Sequence, residues 1–454
     1  MGVFRKQEDR RQGLLLPPSP SDWLPEGHLA WFVIDAVEQL DLDALVEKYR
    51  VCGKGEQAYP PRVMLSLLIY GYCTGTFASR RIAAQVEDSV AFRVIAAGLT
   101  PSHRTICRFR EENLDEFQRL FVQVVLLAQE AGLVKMGTLV IDGSKVKANA
   151  SKHKAMSYDR MLMEEKKLRS EIRKLTQAAR EQDTIDDQTF GPDFRGDELP
   201  QELSRRKTRL QTIQAAKKRL EERKAAEAEA KREAAEAEAK QAATESGAKR
   251  DPEARGKVTE PESERVLPEP RDQENFTDPD SRIMPTGGKS FEQSYNAQVA
   301  VDAAVQMVVA AAVSQNPKDM GLLLPAVSAA VENTGQIPKR VLADTGYRNE
   351  RDLKSLAELG IDGYVSIGRE GKPTRPPSNE SPHSQAMLKK LSTKRGRARY
   401  RKRKAIVEPV FGWVKRVLGF RAFSLRGLRK VAGEWSLVCL ALNLRRMAAK
   451  GVQL

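Results

Sequence analysis

Met136-Gly-Thr-Leu-Val-Ile-Asp142-Gly-Ser144 reads as a short apolar strand, Met136 to Ile141, that stops at a carboxylate and a turn. Pro338-Lys-Arg-Val-Leu-Ala-Asp344-Thr-Gly-Tyr-Arg348 has the same form, a brief apolar run delivering an aspartate into a glycine turn. Between and after them, Ser294 to Val301 and Met307 to Val313 predict strands, Asp319 to Glu332 and Glu350 to Leu359 predict helices, and Gly363 to Ile367 predicts a further strand. The resulting order is that of a mixed sheet with covering helices, an α/β fold, interrupted after its first strand by a large helical segment.

Upstream, apolar residues recur at helical spacing in Leu29 to Leu40, Val63 to Tyr72 and Phe117 to Leu127, so residues 1–135 are expected to form an all-helical domain. Two short basic helices with N-cap residues, Ser79 to Gln85 and Ser102 to Arg110, fit a helix-turn-helix with Arg104 and Arg108 toward DNA. The same pattern also fits a helical bundle with surface arginines. Residues 136–152 open the sheet domain and 289–454 complete it. Within 153–245, Leu168, Ile172 and Leu175 share one helical face, as do Leu203, Leu210, Ile213 and Leu220, which predicts a coiled-coil-like antiparallel hairpin. It runs on into an Ala/Glu/Lys stretch, Ala225 to Lys240, with too little apolar surface to be more than an exposed helix. Residues 246–288, rich in Pro, Asp, Glu and Arg, read as a polar linker.

With 454 residues the chain is long enough for two or three domains and their cores. Four cysteines (Cys52, Cys73, Cys107, Cys439) form no CxxC pair and the histidines are scattered, which argues against a zinc finger or a disulfide framework and suits a reducing cytoplasm. No apolar run reaches the length of a membrane span, and the charged N-terminus has no secretory pattern.

The charge is concentrated. Residues 389–430 hold sixteen Lys and Arg and a single acid, Glu408, so this segment alone accounts for the net charge of +15. Its densest part, Lys394 to Lys404, is eight-elevenths basic and creates a field suited to a nucleic-acid backbone. Because the run passes directly into an apolar segment, Ala405 to Leu418, it is expected to be folded rather than a tail.

Three acids then stand out: Asp142 and Asp344 after strands, and Glu408 on a basic helix. Carboxylates at strand ends with a third on a covering helix suit a hard divalent cation such as Mg²⁺, with Mn²⁺ as a substitute, and two such ions can drive phosphodiester chemistry. On an α-helix Glu408, Gly412 and Lys415 lie on one face, which would place a carboxylate, a close-approach gap and a phosphate-binding cation in line. Lys145 follows the first aspartate and is a further candidate for phosphate contact.

Taken together, these stretches resemble the DDE transposases of bacterial insertion sequences, closest to insertion sequence family eleven-eighty-two. The similarity rests on His103 to Arg110, Val140 to Lys145, Asp278 to Arg282, Tyr295 to Gln298 with Val301-Asp302, Ala343 to Tyr347, and Val407 to Gly412. The family signature Tyr-x2-Arg-x3-Glu-x6-Lys is met in part: Tyr400 and Arg403 keep the first spacing, Glu408 and Lys415 the last. Four residues rather than three separate Arg403 from Glu408, which turns the arginine by about 100° and leaves Lys404 in its register.

The resemblance implies a ribonuclease-H-like catalytic core with Asp142, Asp344 and Glu408 as a Mg²⁺-binding triad. Tyr400, Arg403, Lys404 and Lys415 would sit near DNA. It further implies an N-terminal domain that binds the terminal inverted repeats of the element, cleavage there, and joining of the freed 3′-hydroxyls to target DNA. Double-stranded DNA is then the partner, a homodimer the form that pairs two ends, and the bacterial nucleoid the location, with no membrane involved. Two rivals remain: a catalytically silent DNA-binding protein derived from a transposase, and a host nuclease with the same core.

Overall fold

In the computed structural model the described residues are 20–49, 57–190, 201–245, 266–286, 290–368, 378 and 381–454. The elements run α1 (Pro20–Trp23), α2 (Leu29–Gln39), α3 (Asp43–Val46), α4 (Pro61–Cys73), α5 (Ser79–Asp88), α6 (Val90–Ile95), α7 (His103–Glu112), α8 (Leu114–Glu130), β1 (Leu139–Lys147), β2 (Ala155–Ser157), α9 (Tyr158–Phe190), α10 (Gln201–Glu245), β3 (Gln273–Asn275), β4 (Arg282–Pro285), β5 (Phe291–Asp302), β6 (Met307–Ser314), α11 (Leu323–Thr334), β7 (Arg340–Ala343), α12 (Glu350–Glu358), β8 (Asp362–Val365), α13 (Pro382–Ser392), α14 (Lys394–Gly412) and α15 (Leu428–Ala449). They form two compact units, one of residues 1–149, 284–286 and 294–454, the other of residues 150–283 and 287–293. None of the described helices is long and apolar enough to cross a membrane.

The first unit joins the N-terminal helices to a mixed sheet of order β4-β5-β1-β7-β8, with β6 also pairing β5. β1 is antiparallel to β5 from Leu139↔Asp302 to Lys147↔Ser294, and parallel to β7 at Leu139↔Val341 and Val140↔Leu342. The strand expected to stop at Ile141 therefore continues to Lys147. The long β5 offers a ladder that Gly143 to Lys147 keep using after the short β7 has ended. Between the two expected basic helices, α5 and α7, lies a further short helix, α6.

From Gly433 to Leu444 every residue of α15 is buried, so this stretch, apolar but for Glu434, Ser436 and Asn443, has no solvent face. It packs on α4 and α8 and on β6. Gly433 is the point of closest approach, since a Cβ there would stand 2.6 Å from the Leu114 carbonyl oxygen. Trp435, 1 % exposed, donates its indole N–H to the Gln298 carbonyl at 3.0 Å, and its ring completes an aromatic cluster with Phe420 and Phe423. The buried Asn443 amide accepts from Val308 N at 3.0 Å and donates to Val308 O at 2.7 Å, completing the ladder of β6. Buried Glu434 accepts from the backbone N–H groups of Ser424 and Leu425 at 2.9 and 3.1 Å, which ties down the loop before α15.

In the second unit, α9 and α10 form the expected antiparallel hairpin: Tyr158 lies against Glu221, Glu165 against Gln214 and Glu171 against Arg206. Met156, Met161, Leu168, Ile213 and Leu220 make its core. The Ala/Glu/Lys stretch continues α10 to Glu245. Of the segment read as linker, residues 246–265 lie outside the described residues, and 266–286 carry β3 and β4. β3 pairs with β2 more than a hundred residues upstream, and Glu274 within it is held by Arg219 at 2.8 Å, so a composition typical of linkers conceals a long-range strand. Residues 191–200, between the two helices in sequence, also lie outside the described residues.

Replacing Asn443 by Leu removes both side-chain partners of Val308 while keeping the volume. It should lower stability by about 2–4 kcal/mol, read as a fall in the urea midpoint with an unchanged slope; an unchanged midpoint would show that β6 is held without it.

Candidate active site

Asp142 and Asp344 occupy corresponding places on neighbouring parallel strands. The last β1–β7 partners are Val140 and Leu342, so each aspartate comes two residues later, where β7 gives way to a tight turn, Thr345–Tyr347. Asp344 caps that turn, its Oδ1 accepting from Gly346 N at 2.8 Å. The Asp142 carboxylate accepts from Gly143 N at 2.9 Å and from Arg403 Nη1 at 3.0 Å. Burial pushes the Asp142 carboxyl up to about 6 against the opposing pull of Arg403, and the charge of Asp344 pushes the same way as burial.

The two faces of β1 divide the surroundings. On the side of Asp142 and Ser144 lies α14, which packs on β1, β7 and β8 through Val407 and Val410. Arg403 shares that inward side, and Tyr400 and Asp344 also keep its guanidinium charged. Arg403 Nε is buried with no partner among the described residues. Pro409 within α14 has no N–H to offer the Ala405 carbonyl, which instead accepts from Gln306 Nε2 at 3.1 Å.

After Gly412 the helix widens into a π-turn, Trp413–Val417. Lys415 there reaches back to β1, donating to Ser144 Oγ at 2.5 Å and Lys145 O at 2.9 Å. Burial and the neighbouring Lys145 lower its ammonium pKa.

On the other face, Gly143 and Lys145 stand opposite Gln298 and Asn296 of β5. Asp319 Oδ1 accepts from Asn296 Nδ2 at 2.6 Å and Gln298 Nε2 at 2.9 Å, and pairs with Lys145 at 3.4 Å. Gln298 Oε1 in turn accepts from the buried Tyr347 hydroxyl, and so links this lattice to the Asp344 turn. A Cβ at position 143 would lie 2.1 Å from Gln298 Nε2, so the glycine beside the first aspartate is required by close approach.

Asp319 was not among the residues singled out from sequence, and Gln298 and Tyr347 stood only as ends of stretches that carry the family resemblance, with no role assigned. The available signals were the glycine after Asp142 and the Asn316-Pro317 turn two residues before Asp319. Asp302, by contrast, accepts from Met136 N at 2.7 Å and Ala304 N at 2.8 Å and serves turns.

The structure thus brings together Asp142, Asp344, Arg403, Tyr400, Lys145 and Lys415. Glu408 lies elsewhere: it is exposed, roughly 140° around α14 from Arg403. The change of pitch at the π-turn also breaks the α-helical spacing that aligned it with Lys415. Among the described residues no group of three or more His, Cys, Asp or Glu side chains could hold a metal ion. Lys404 is exposed on α14, and Arg104 and Arg108 are exposed one turn apart on α7. Two adjacent carboxylates, one of them held proton-hungry by burial and a like charge, have the oxygen chemistry that a divalent cation takes.

Because folding raises the Asp142 carboxyl, the native chain binds that proton more tightly than the unfolded chain. Its contribution to stability therefore declines as pH rises from about 4 to about 6 and stays low above. Asp142→Asn should raise the melting temperature at pH 7.5, by a free energy on the order of 1–3 kcal/mol, and leave it near wild type at pH 4.5. A variant less stable at pH 7.5 would mean that the Arg403 pair outweighs burial.

Residues 271–444 match the family model described as Transposase DDE domain, and residues 18–112 match a second, described as Transposase domain (DUF772). No curated protein and no solved structure matches the chain. One match covers the N-terminal helices, the other the strand that delivers Asp344 and the helix that sets Arg403 on Asp142, and together they support a DDE transposase.

Proposed function

We propose that this chain is the transposase of a bacterial insertion sequence of family eleven-eighty-two type, cutting at the terminal inverted repeats and joining the 3′-hydroxyl ends to target DNA. The observation that carries the reading is the meeting of Asp142 and Asp344 at the end of the parallel β1–β7 pair, beneath a strongly cationic helix. The core around them is read as ribonuclease-H-like.

Asp142 and Asp344 would hold Mg²⁺, or Mn²⁺; Glu408, the third carboxylate that the resemblance implies, stands exposed on α14 apart from them. When bound, such an ion polarises the phosphoryl oxygen and lowers the pKa of the attacking water or hydroxyl. Arg403 holds the Asp142 carboxylate in place and offsets its charge. Lys415, anchored on Ser144, places an ammonium beside the same strand for the scissile phosphate or its neighbour. Exposed Arg395, Arg397, Arg401 and Lys402 on α14 supply sequence-independent phosphate affinity, and Arg104 and Arg108 on α7 are the candidates for the repeat. Two ends must be brought together, so a homodimer on chromosomal DNA is the proposed working form.

A labelled duplex carrying the element's terminal repeat tests this, incubated with Mg²⁺ or EDTA. Metal-dependent cuts confined to the repeat boundary are expected, abolished by Asp142→Asn, Asp344→Asn or Glu408→Gln with DNA binding nearly intact. Full activity in any variant removes that residue from the triad. Binding without cleavage under every metal favours a silent DNA-binding protein, to which the exposure of Glu408 lends weight, and cutting without regard to the repeat favours a nuclease.

A further inference from the structure

The hairpin separates its charges by face. Between Arg160 and Gln177 the exposed residues of α9 include Arg160, Lys166, Lys167, Arg173 and Lys174 and no acid. The three acids of that stretch, Glu164, Glu165 and Glu171, turn instead toward α10, where Arg209, Lys217 and Arg206 meet them at 3.7, 2.9 and 3.0 Å. None of the five outward cations forms an ion pair among the described residues. α10 repeats the asymmetry, for it has no acid at all between Leu203 and Leu220 and exposes Arg205 and Lys207. An ordinary solvated helix mixes both signs on its outer face. Between Arg160 and Gln177 every acid of α9 is spent on the inter-helix contact and the outward charges are all positive; the exposed Asp159 and Glu181 lie just beyond either end.

We propose that this outer face of the hairpin is a phosphate-binding surface for duplex DNA, additional to the basic run of α14. From Arg160 to Lys174 the stripe is about 21 Å long, and a duplex carries about a dozen phosphate charges over that length. A membrane is a poorer fit, because the apolar face of α9, with Met161 and Leu168, is already covered by α10, and between Arg160 and Gln177 only Leu162 and Met163 of its large apolar residues are exposed. Duplex DNA as the natural partner rests on the transposase reading; the charge separation does not.

The test uses the full chain and a random-sequence duplex without the terminal repeat, titrated at several salt concentrations and followed by fluorescence anisotropy. Replacing Lys166, Lys167, Arg173 and Lys174 by Gln removes four charges that make no hydrogen bond or ion pair among the described residues, so the melting temperature should not change. The slope of log affinity against log salt should shrink by about 3–4, with affinity at moderate salt down at least tenfold, and replacement of the four by Glu should weaken binding further. Unchanged slope and affinity in both variants overturn the proposal. So does an unchanged slope accompanied by lost binding to phosphatidylserine vesicles, or by a shift in sedimentation from dimer to monomer, which would assign the stripe to a membrane or to a second copy. Repeat-specific cleavage is read separately. A wild-type chain that never cuts but whose Gln variant loses the slope sinks the transposase reading and keeps the stripe; cleavage with an unaltered slope does the reverse.

Discussion

Everything in the first unit hangs on burial of α15 from several sides at once. Buried without a break from Gly433 to Leu444, the helix has no solvent face along that stretch, so the N-terminal helices and the sheet must both close on it. Close packing at Gly433 sets its distance from α8, and the Asn443 and Trp435 side chains bond to the backbones of β6 and β5. Through Glu434 the same helix fixes the loop around Ser424. Phe423 N in turn bonds Lys147 O at 2.8 Å, and Asn149 donates to Ser424 O at 2.7 Å. The end of β1 is therefore clamped from the C-terminal side of the chain, which keeps the strand bearing Asp142 straight past the point where β7 leaves it.

The site itself is a balance between desolvation and charge. Burial and the proximity of Asp344 both oppose ionisation of Asp142, and Arg403 opposes them. Beneath the strand, the Asn296 and Gln298 amides converge on the Asp319 carboxylate, which pairs with Lys145, and Gln298 reaches the Tyr347 hydroxyl, so the two aspartate-bearing segments are braced by amides around one ion pair. Lys415 and Arg403 enter from the opposite face, on a helix whose pitch changes between them. Positive groups thus sit on the chain's own carboxylate and hydroxyl, within reach of a phosphodiester that would compete for them.

Cationic surface occurs in two forms. In α14 it is visible as a net excess, because almost no acids accompany the arginines. In the hairpin it is concealed in the composition, since Glu164, Glu165 and Glu171 lie among the lysines and are withdrawn only when α9 meets α10. Net charge per segment therefore does not by itself give the field a helix presents to a polyanion, which depends on which charges face outward.

Hydrophobic periodicity in the sequence was enough to determine the α/β alternation, the helical N-terminal region and the hairpin, because period and length are local properties of the chain. The glycine and carboxylate punctuation after the apolar runs ending at Ile141 and Ala343 likewise marked Asp142 and Asp344. Tertiary structure alone decided how far β1 extends, since the ladder that prolongs it belongs to β5, and it revealed β3 inside a stretch with the composition of a linker, since its partner is β2. It also recruited Asp319, Gln298 and Tyr347, which lie far apart in sequence and are joined only by side-chain hydrogen bonds across strands. The direction of Glu408 shows the same limit: ideal helical spacing placed it in line with Lys415, and a π-turn, set by how the chain packs back onto β1, turned the lysine inward without it.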